Sequence, residues 1–346
     1  VGPGAETAPI DALGAGAYFD NEGTSEQVPG CHRSQSAEIY IGAGVNTGVK
    51  GKNFACSGAR TYSYTTEGGA FKPDIDSYSE GGNEGQVKML ETFAQTHRVR
   101  MVVLQIGGTN FNFGKVVTMC VEDYLIWFPT YCSKQTSVLE NFTVTNVETQ
   151  EHLITEAILR VATAMSNAGY SEKSYTILIQ NYPSVIPNQE NFRYIENSVR
   201  YTDGGCPFYN IDAEWLNEAL AVINEALFNA ASAASLSNIK TMDIALALYR
   251  RRLCETGLKH VESPETWHTE SAVDTSEWVT QIFSFPSAVY TKQESLHPNY
   301  WGQLGLRNCL RQAYNGGHPI SGTCSSPFWN SSSGLNAAEE PNMYFH

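Results

Sequence analysis

His297 lies in the segment ESLHPNYWGQ, residues 294–303, one place before Pro298 and three after Glu294. A histidine in a polar loop beside a proline is better placed for proton transfer than one on an apolar helix face. Its imidazole exchanges a proton near neutral pH, and a neighbouring carboxylate can hold the ring in one tautomer. Glu294 can take that part if the loop folds back as a helical turn. The chemistry this pair would serve is acyl transfer, in which the base activates a hydroxyl nucleophile. A histidine beside an acid also fits an ordinary surface loop.

Acyl transfer needs donors where negative charge develops on the carbonyl oxygen. The segment NFACSGA, residues 53–59, has small residues after a strand-like entry, so backbone N–H groups at Ser57-Gly58 can approach a ligand closely. A tight turn beside a disulfide is the plainer account. The segment LQIGGTNFNF, residues 104–113, sets Gly107 and Gly108, then Thr109 and Asn110, at the end of the strongest strand signal. A side chain there can donate to an oxyanion, and ordinary Asn turn chemistry is the alternative. Neither this run nor GAGVNTGVKGK, residues 42–52, has the glycine register of a phosphate-binding loop. The aromatic stretch VEDYLIWFPTYC, residues 121–132, either lines an acyl pocket or packs as core beneath a loop.

These residues need a scaffold, and the hydrophobic pattern supplies one. The apolar runs 100–106, 174–182 and 238–244 read as buried strands, the first ending in Gly107-Gly108 and the second at Pro183. Between them, 147–168 reads as a helix closed by Gly169, and 212–235 as a second helix with Asp212 as N-cap. Trp215, Leu216, Leu220, Ile223 and Leu227 form one stripe on the latter. Strands alternating with long helices predict an α/β fold with a parallel sheet covered on both faces, its site beyond the carboxyl ends of the strands. Gly107–Asn110, Asn181 and the 294–299 loop should meet there. Residues 1–30 read as an irregular segment, 1–324 as a single domain, and 325–346 as an extension wrapping the surface.

The 346 residues leave room for an ample core, and 42% hydrophobic with 11% aromatic content describes a globular chain. A net charge of −14 with only 22 Lys and Arg argues against nucleic acid and against an anionic membrane surface. No run approaches the roughly 20 apolar residues that span a bilayer, and no export signal is visible, which implies that any such signal has been removed. The eight cysteines are Cys31, Cys56, Cys120, Cys132, Cys206, Cys254, Cys309 and Cys324, without a Cys-x-x-Cys pair or zinc-finger spacing. Four disulfides in an oxidising, extracellular setting is the simplest reading. Sequential pairing, 31–56, 120–132, 206–254 and 309–324, is the expectation among the many connectivities eight cysteines allow.

Six blocks occur in the order found in one family: GCHRSQSAEIY (30–40), ACSGARTYS (55–63), IGGTNFNFGKVVTMC (106–120), QNYPSVIP (180–187), GGCPFYNIDAEW (204–215) and ESLHPNYWGQ (294–303). Together they resemble the SGNH/GDSL hydrolases, most closely the secreted lipases and esterases typical of actinobacteria. The resemblance covers roughly residues 14–325. It implies a flavodoxin-like three-layer α/β/α sandwich that hydrolyses acyl esters or lipid-like small molecules through an acyl-enzyme, with no metal or cofactor. It further implies His297 as the base, Glu294 as its orienting acid, and Gly58 as an oxyanion donor. In some relatives a backbone carbonyl orients the histidine instead.

Two positions depart from the family. The oxyanion asparagine should follow Gly-Gly directly, but Thr109 stands there and Asn110 comes one place late. The Gly-Asp-Ser nucleophile block should precede Cys31, yet the nearest echoes, Asp11-Ala12-Leu13 and Glu6-Thr7-Ala8, lack the serine. Three readings stay open. In the first, the block belongs to an upstream segment and carries a central strand with it. In the second, the chain is an inactive relative that binds a ligand or protein partner. In the third, Ser57 or Ser34 attacks, though neither sits in a nucleophile-elbow context.

Overall fold

Two small antiparallel hairpins come first, β1 (Tyr64–Thr65) with β2 (Phe71–Lys72) and β3 (Ser79–Glu80) with β4 (Asn83–Glu84). The structure is a computed structural model, and it describes residues 31, 33, 36–65, 69, 71–126, 129–259, 272–282, 295–327 and 334–346. After the hairpins come α1 (Gln86–Ala94), β5 (Met101–Leu104), α2 (Phe113–Leu125), α3 (Thr136–Leu139), α4 (Val144–Asn167) and β6 (Thr176–Gln180). Then follow α5 (Ser198–Thr202), α6 (Asn210–Ala233), β7 (Ile239–Asp243), α7 (Ala272–Thr275), α8 (Tyr300–Tyr314), β8 (Gly322–Ser325) and β9 (Tyr344–Phe345).

The three apolar runs become β5, β6 and β7, hydrogen-bonded in that order and parallel, with Leu104 opposite Ile179 and Gln180 opposite Met242. β8 adds in parallel beside β7. Each parallel step spends a helix on its return, which is why strand and helix signals alternate in the sequence. The pleat sorts the apolar side chains. Val102, Leu104, Ile177 and Ile179 face a core shared with α1, α4 and the second half of α6. Val103, Leu178 and Met242 face the opposite core with Val116 and Val121 of α2, Trp278, and Leu304, Leu306 and Leu310 of α8. The result is the expected three-layer α/β/α arrangement.

The helix boundaries follow local chemistry. Thr143 caps α4, its hydroxyl accepting from the Asn146 N–H, and Gly169 at φ +89° lets the chain leave the other end. The cap of α6 differs from the expectation. The helix starts at Asn210, and buried Asp212 sits in its first turn, accepting from the Cys132 and Ser133 N–H groups. A carboxylate that closes a neighbouring turn is not available to cap its own helix. On the stripe, Leu216, Leu220, Ile223 and Leu227 are buried.

The tail departs most from the sequence reading. Residues after 325 do not simply wrap the surface: Tyr344–Phe345 returns as β9, antiparallel to β8, and makes the sheet five-stranded. Glu340, fully buried, holds this return by a two-pronged ion pair with Arg311 of α8. The Arg311 Nε donates in turn to the Ile41 carbonyl at 2.8 Å, so one guanidinium ties tail, helix and an early loop together.

Four disulfides join the sequential pairs Cys31–Cys56, Cys120–Cys132, Cys206–Cys254 and Cys309–Cys324. Among the described residues, no helix is long and apolar enough to cross a membrane. The disulfides differ in the loop they close, 48 residues for Cys206–Cys254 against 12 for Cys120–Cys132. Chain-entropy arguments put these at about 4 and about 3 kcal/mol. Replacing both cysteines of the longer loop by alanine should therefore lower unfolding free energy more than replacing the shorter pair, as read from denaturant midpoints.

Candidate active site

Asn181, the residue after β6, stitches three strand ends together. Its carbonyl accepts from the Gln105 amide beyond β5, and its own amide donates to the Asp243 carboxylate at 2.8 Å. Its side-chain oxygen accepts from the Ile244 N–H at 2.7 Å, just past β7. The loops leaving this edge are thereby held at one height, and between them opens a cavity of about 550 Å³.

His297 reaches this cavity from a loop laid against residues 278–280. The Leu296 N–H donates to the Thr280 carbonyl at 3.0 Å, and the Thr280 N–H to the His297 carbonyl at 2.9 Å. The Asn299 N–H closes the pairing on the Trp278 carbonyl at 2.9 Å. Trp278 is fully buried, with its indole N–H on the Val273 carbonyl, so the support is rigid. Leu296 adopts φ +65°, a conformation uncommon for a branched residue, and it turns the chain immediately before His297. Asn299 caps α8 through the Gly302 N–H, and Gly302 packs so tightly that a Cβ there would lie 2.4 Å from the Trp278 carbonyl. The imidazole Nδ1 lies 3.0 Å from the Ser295 carbonyl. A carbonyl only accepts, so Nδ1 carries the hydrogen and Nε2 is the nitrogen able to take a proton. Glu294 lies outside the described residues.

Opposite stand the two turns. Gly58, at φ +75°, follows Ser57, whose N–H donates to the Cys31 carbonyl at 3.2 Å beside the Cys31–Cys56 bridge. Among the described residues no backbone carbonyl takes the Gly58 N–H. At the other turn Gly107 has φ +122°, a conformation that favours glycine, and a Cβ there would press on the Ile154 side chain at 3.0 Å. The Gly108 N–H is engaged by the Tyr182 hydroxyl at 3.1 Å. Gly58, Ser57, Thr109 and His297 all line the cavity. Asn110 does not share that wall. Its amide donates to the Thr61 hydroxyl at 2.9 Å and to Gln150 at 3.2 Å. Thr109 is the one of the two that the turn presents to the cavity.

The remaining wall is largely apolar. Phe113, Val117, Val121 and Leu125 of α2, four residues apart, put one helix stripe against it. Their four-residue spacing is visible in the sequence as one helical stripe. Part of the 121–132 stretch thus lines the cavity, while Trp127 and Phe128 lie outside the described residues. Ser34 also lies outside them. No group of three or more His, Cys, Asp or Glu among the described residues is arranged to hold a metal ion.

No protein-family model matches the chain, and no curated protein does. Solved structures similar to it include two from Streptomyces species. One is an extracellular lipase from Streptomyces rimosus, at 15% identity and a TM-score of 0.46, covering 83% of this chain and 90% of that one. The other is phospholipase A1 from Streptomyces albidoflavus NA297, at 16% identity and a TM-score of 0.45, covering 89% of this chain and 99% of that one.

Behind the Gly58 turn, Asp74 is fully buried. One carboxyl oxygen accepts from the Arg60 N–H at 2.6 Å and the other has no partner among the described residues. Burial, reinforced by the nearby Asp76 carboxylate, pushes the Asp74 carboxyl up to about 8, against the pull of the Arg60 N–H. The folded protein therefore holds a proton that the unfolded chain releases near pH 4. Stability from this group is complete below that pH and is lost as pH rises toward 8, by up to about 1.4 kcal/mol per unit. Asp74→Asn should remove that slope, gaining on the parent protein steadily from pH 5 to pH 8 in urea unfolding.

Proposed function

We propose that this chain is an extracellular ester hydrolase of the SGNH type, acting on lipid-like acyl esters through Ser-His chemistry. The observation that carries the reading is the convergence of His297, the Gly58 turn and Thr109 on one apolar cavity. His297 Nε2 accepts the proton of an attacking serine hydroxyl as its oxygen bonds to the ester carbonyl carbon. The Gly58 N–H and the Thr109 hydroxyl hold the resulting oxyanion. The imidazolium then returns the proton to the departing alcohol, leaving an acyl-enzyme. Water repeats the sequence to free the acid. The acyl chain lies along the α2 stripe. Four disulfides support the extracellular setting.

The scheme leaves the serine to be identified. Ser57 lines the cavity, while Ser34 and residues 1–30 lie outside the described residues. Thr109 in the place of an amide donor, and the absence of a strand-to-helix serine turn among the described residues, favour a second reading. In that reading the cavity binds a lipid-like ligand or serves a protein partner without turnover.

A fluorophosphonate and a short-chain p-nitrophenyl ester separate the two. Hydrolysis should be inhibited by the phosphonate in step with a single adduct, which peptide mapping assigns to its serine. His297→Ala should lower kcat by about 10³-fold or more and slow adduct formation alike. No turnover together with no adduct would leave the binding protein.

A further inference from the structure

We infer that the rim of the cavity around the end of α2 docks on a neutral, zwitterionic lipid surface. The inference takes its ligand class from the proposed function and adds where and how the protein meets an aggregated form of it. Leu125, the last residue of α2, lines the cavity and is also 41% exposed, so the apolar wall runs out onto the surface unbroken. Ile126 continues it at 49% exposure. Tyr209 packs between Tyr124, tilted with ring centroids 4.8 Å apart, and Tyr131, edge-on at 5.1 Å. The Tyr124 hydroxyl donates to the Asn197 carbonyl at 2.6 Å, drawing α5 and the loop before it alongside. That neighbour brings Ile195, 76% exposed, and Val199. The Asn210 N–H, bonded to Glu196, sets exposed Ile211 of α6 beside them.

Leu125 of the cavity wall is followed by Ile126, and Tyr131, Ile195, Val199 and Ile211 lie on segments tied to the end of α2. Single exposed apolar residues need no explanation, but six on segments joined where an apolar cavity wall reaches the surface do. Charge narrows the partner. The segments 120–131 and 195–211 contain a single basic residue, Arg200, and its guanidinium is buried on the Tyr194 and Phe208 carbonyls and the Asn210 side chain. The exposed charges among them include Glu122, Glu196 and Asp203, all acidic. The flanking basic residues are Arg193, paired with Glu277, and exposed Lys134, so within these segments the exposed charge is acidic and repels an anionic headgroup weakly. The rim's contact with lipid is insertion of aliphatic and aromatic side chains at an uncharged interface, where tyrosines are at home.

Cosedimentation with phosphatidylcholine vesicles tests this without any reference to turnover. The protein should bind pure phosphatidylcholine, lose affinity when phosphatidylglycerol is mixed in, and keep its binding at about 0.5 M NaCl, where exposed charges are screened. Ile126→Glu combined with Ile195→Glu, both at exposed positions, should lower partitioning about tenfold or more. Circular dichroism would verify that the variant is folded. Failure to bind phosphatidylcholine would overturn the inference, as would binding that needs phosphatidylglycerol and vanishes in salt. So would unaltered binding by the double variant, or a dimer that the double variant abolishes in a protein indifferent to vesicles. An inactive protein that binds vesicles would count against hydrolysis alone. An active one that ignores them would count against docking alone.

Discussion

Everything at the cavity depends on how Asn181 joins the ends of β5, β6 and β7. A parallel sheet fixes the direction of its strands but leaves the first residues beyond each strand without ladder partners. Here those residues find one another through a single side chain and its carbonyl, linking Gln105, Asp243 and Ile244. The residue before it extends the grip. Gln180, fully buried, donates at 3.0 Å to Glu38, and the Glu38 N–H meets the side chain of Gln303 on α8. The helix that follows His297 is therefore tied to the strand end that frames the opposite side of the cavity. Shifting any one loop would break buried hydrogen bonds, each expensive to leave unmade.

His297 gains its position from a different layer. Its loop pairs with 278–280, and beneath that pairing lie ion pairs that hold the segment from below. Arg193 bonds to fully buried Glu277 at 2.8 Å, and the same carboxylate oxygen accepts from the Cys254 N–H at 2.7 Å. Arg252 and Glu255 form a buried pair beside them. Charges buried in this way add little net stability over apolar packing, but losing one partner strands the other. They act as locators, fixing a loop whose own sequence, rich in polar residues and proline, carries no element signal.

What was legible in the sequence was whatever depends on local pattern. β5, β6 and β7 show as apolar runs, α4 and α6 as periodic ones, and the even cysteine count as four bridges. The place of the Gly107–Thr109 turn could also be anticipated from the rule that sites lie beyond the strand ends, whereas the Gly58 turn, which follows no strand among the described residues, joins it through long-range contacts. The rest turns on contacts made at long range. Nothing local distinguishes Thr109 from Asn110. What separates them is Thr61, 49 positions away, and Gln150, 40 positions away, which claim the asparagine amide. β9 is too short to show a strand pattern and exists because Glu340 meets Arg311 across 29 positions. Asp212 resembles a cap in sequence and serves the backbone of 132 and 133 instead.

Under the proposed reading, the threonine at the turn bears on how strongly such a cavity would stabilise an oxyanion. The Gly108 N–H already serves the Tyr182 hydroxyl, so it does not add to the wall's donors. The Gly58 N–H is fixed by a backbone at positive φ and requires no reorganisation as charge develops. A threonine hydroxyl rotates about its own bond and must be oriented in the transition state, whereas a carboxamide in a packed turn arrives oriented. Catalysis by electrostatic preorganisation loses most when a fixed dipole becomes a mobile one, and one missing donor costs about 10²–10³ in rate. A hydrolase built on this turn would accordingly draw more of its rate from binding the acyl chain along α2 than from its oxyanion site. The apolar stripe from Phe113 to Leu125, running unbroken from cavity to surface, is the feature suited to supply that binding.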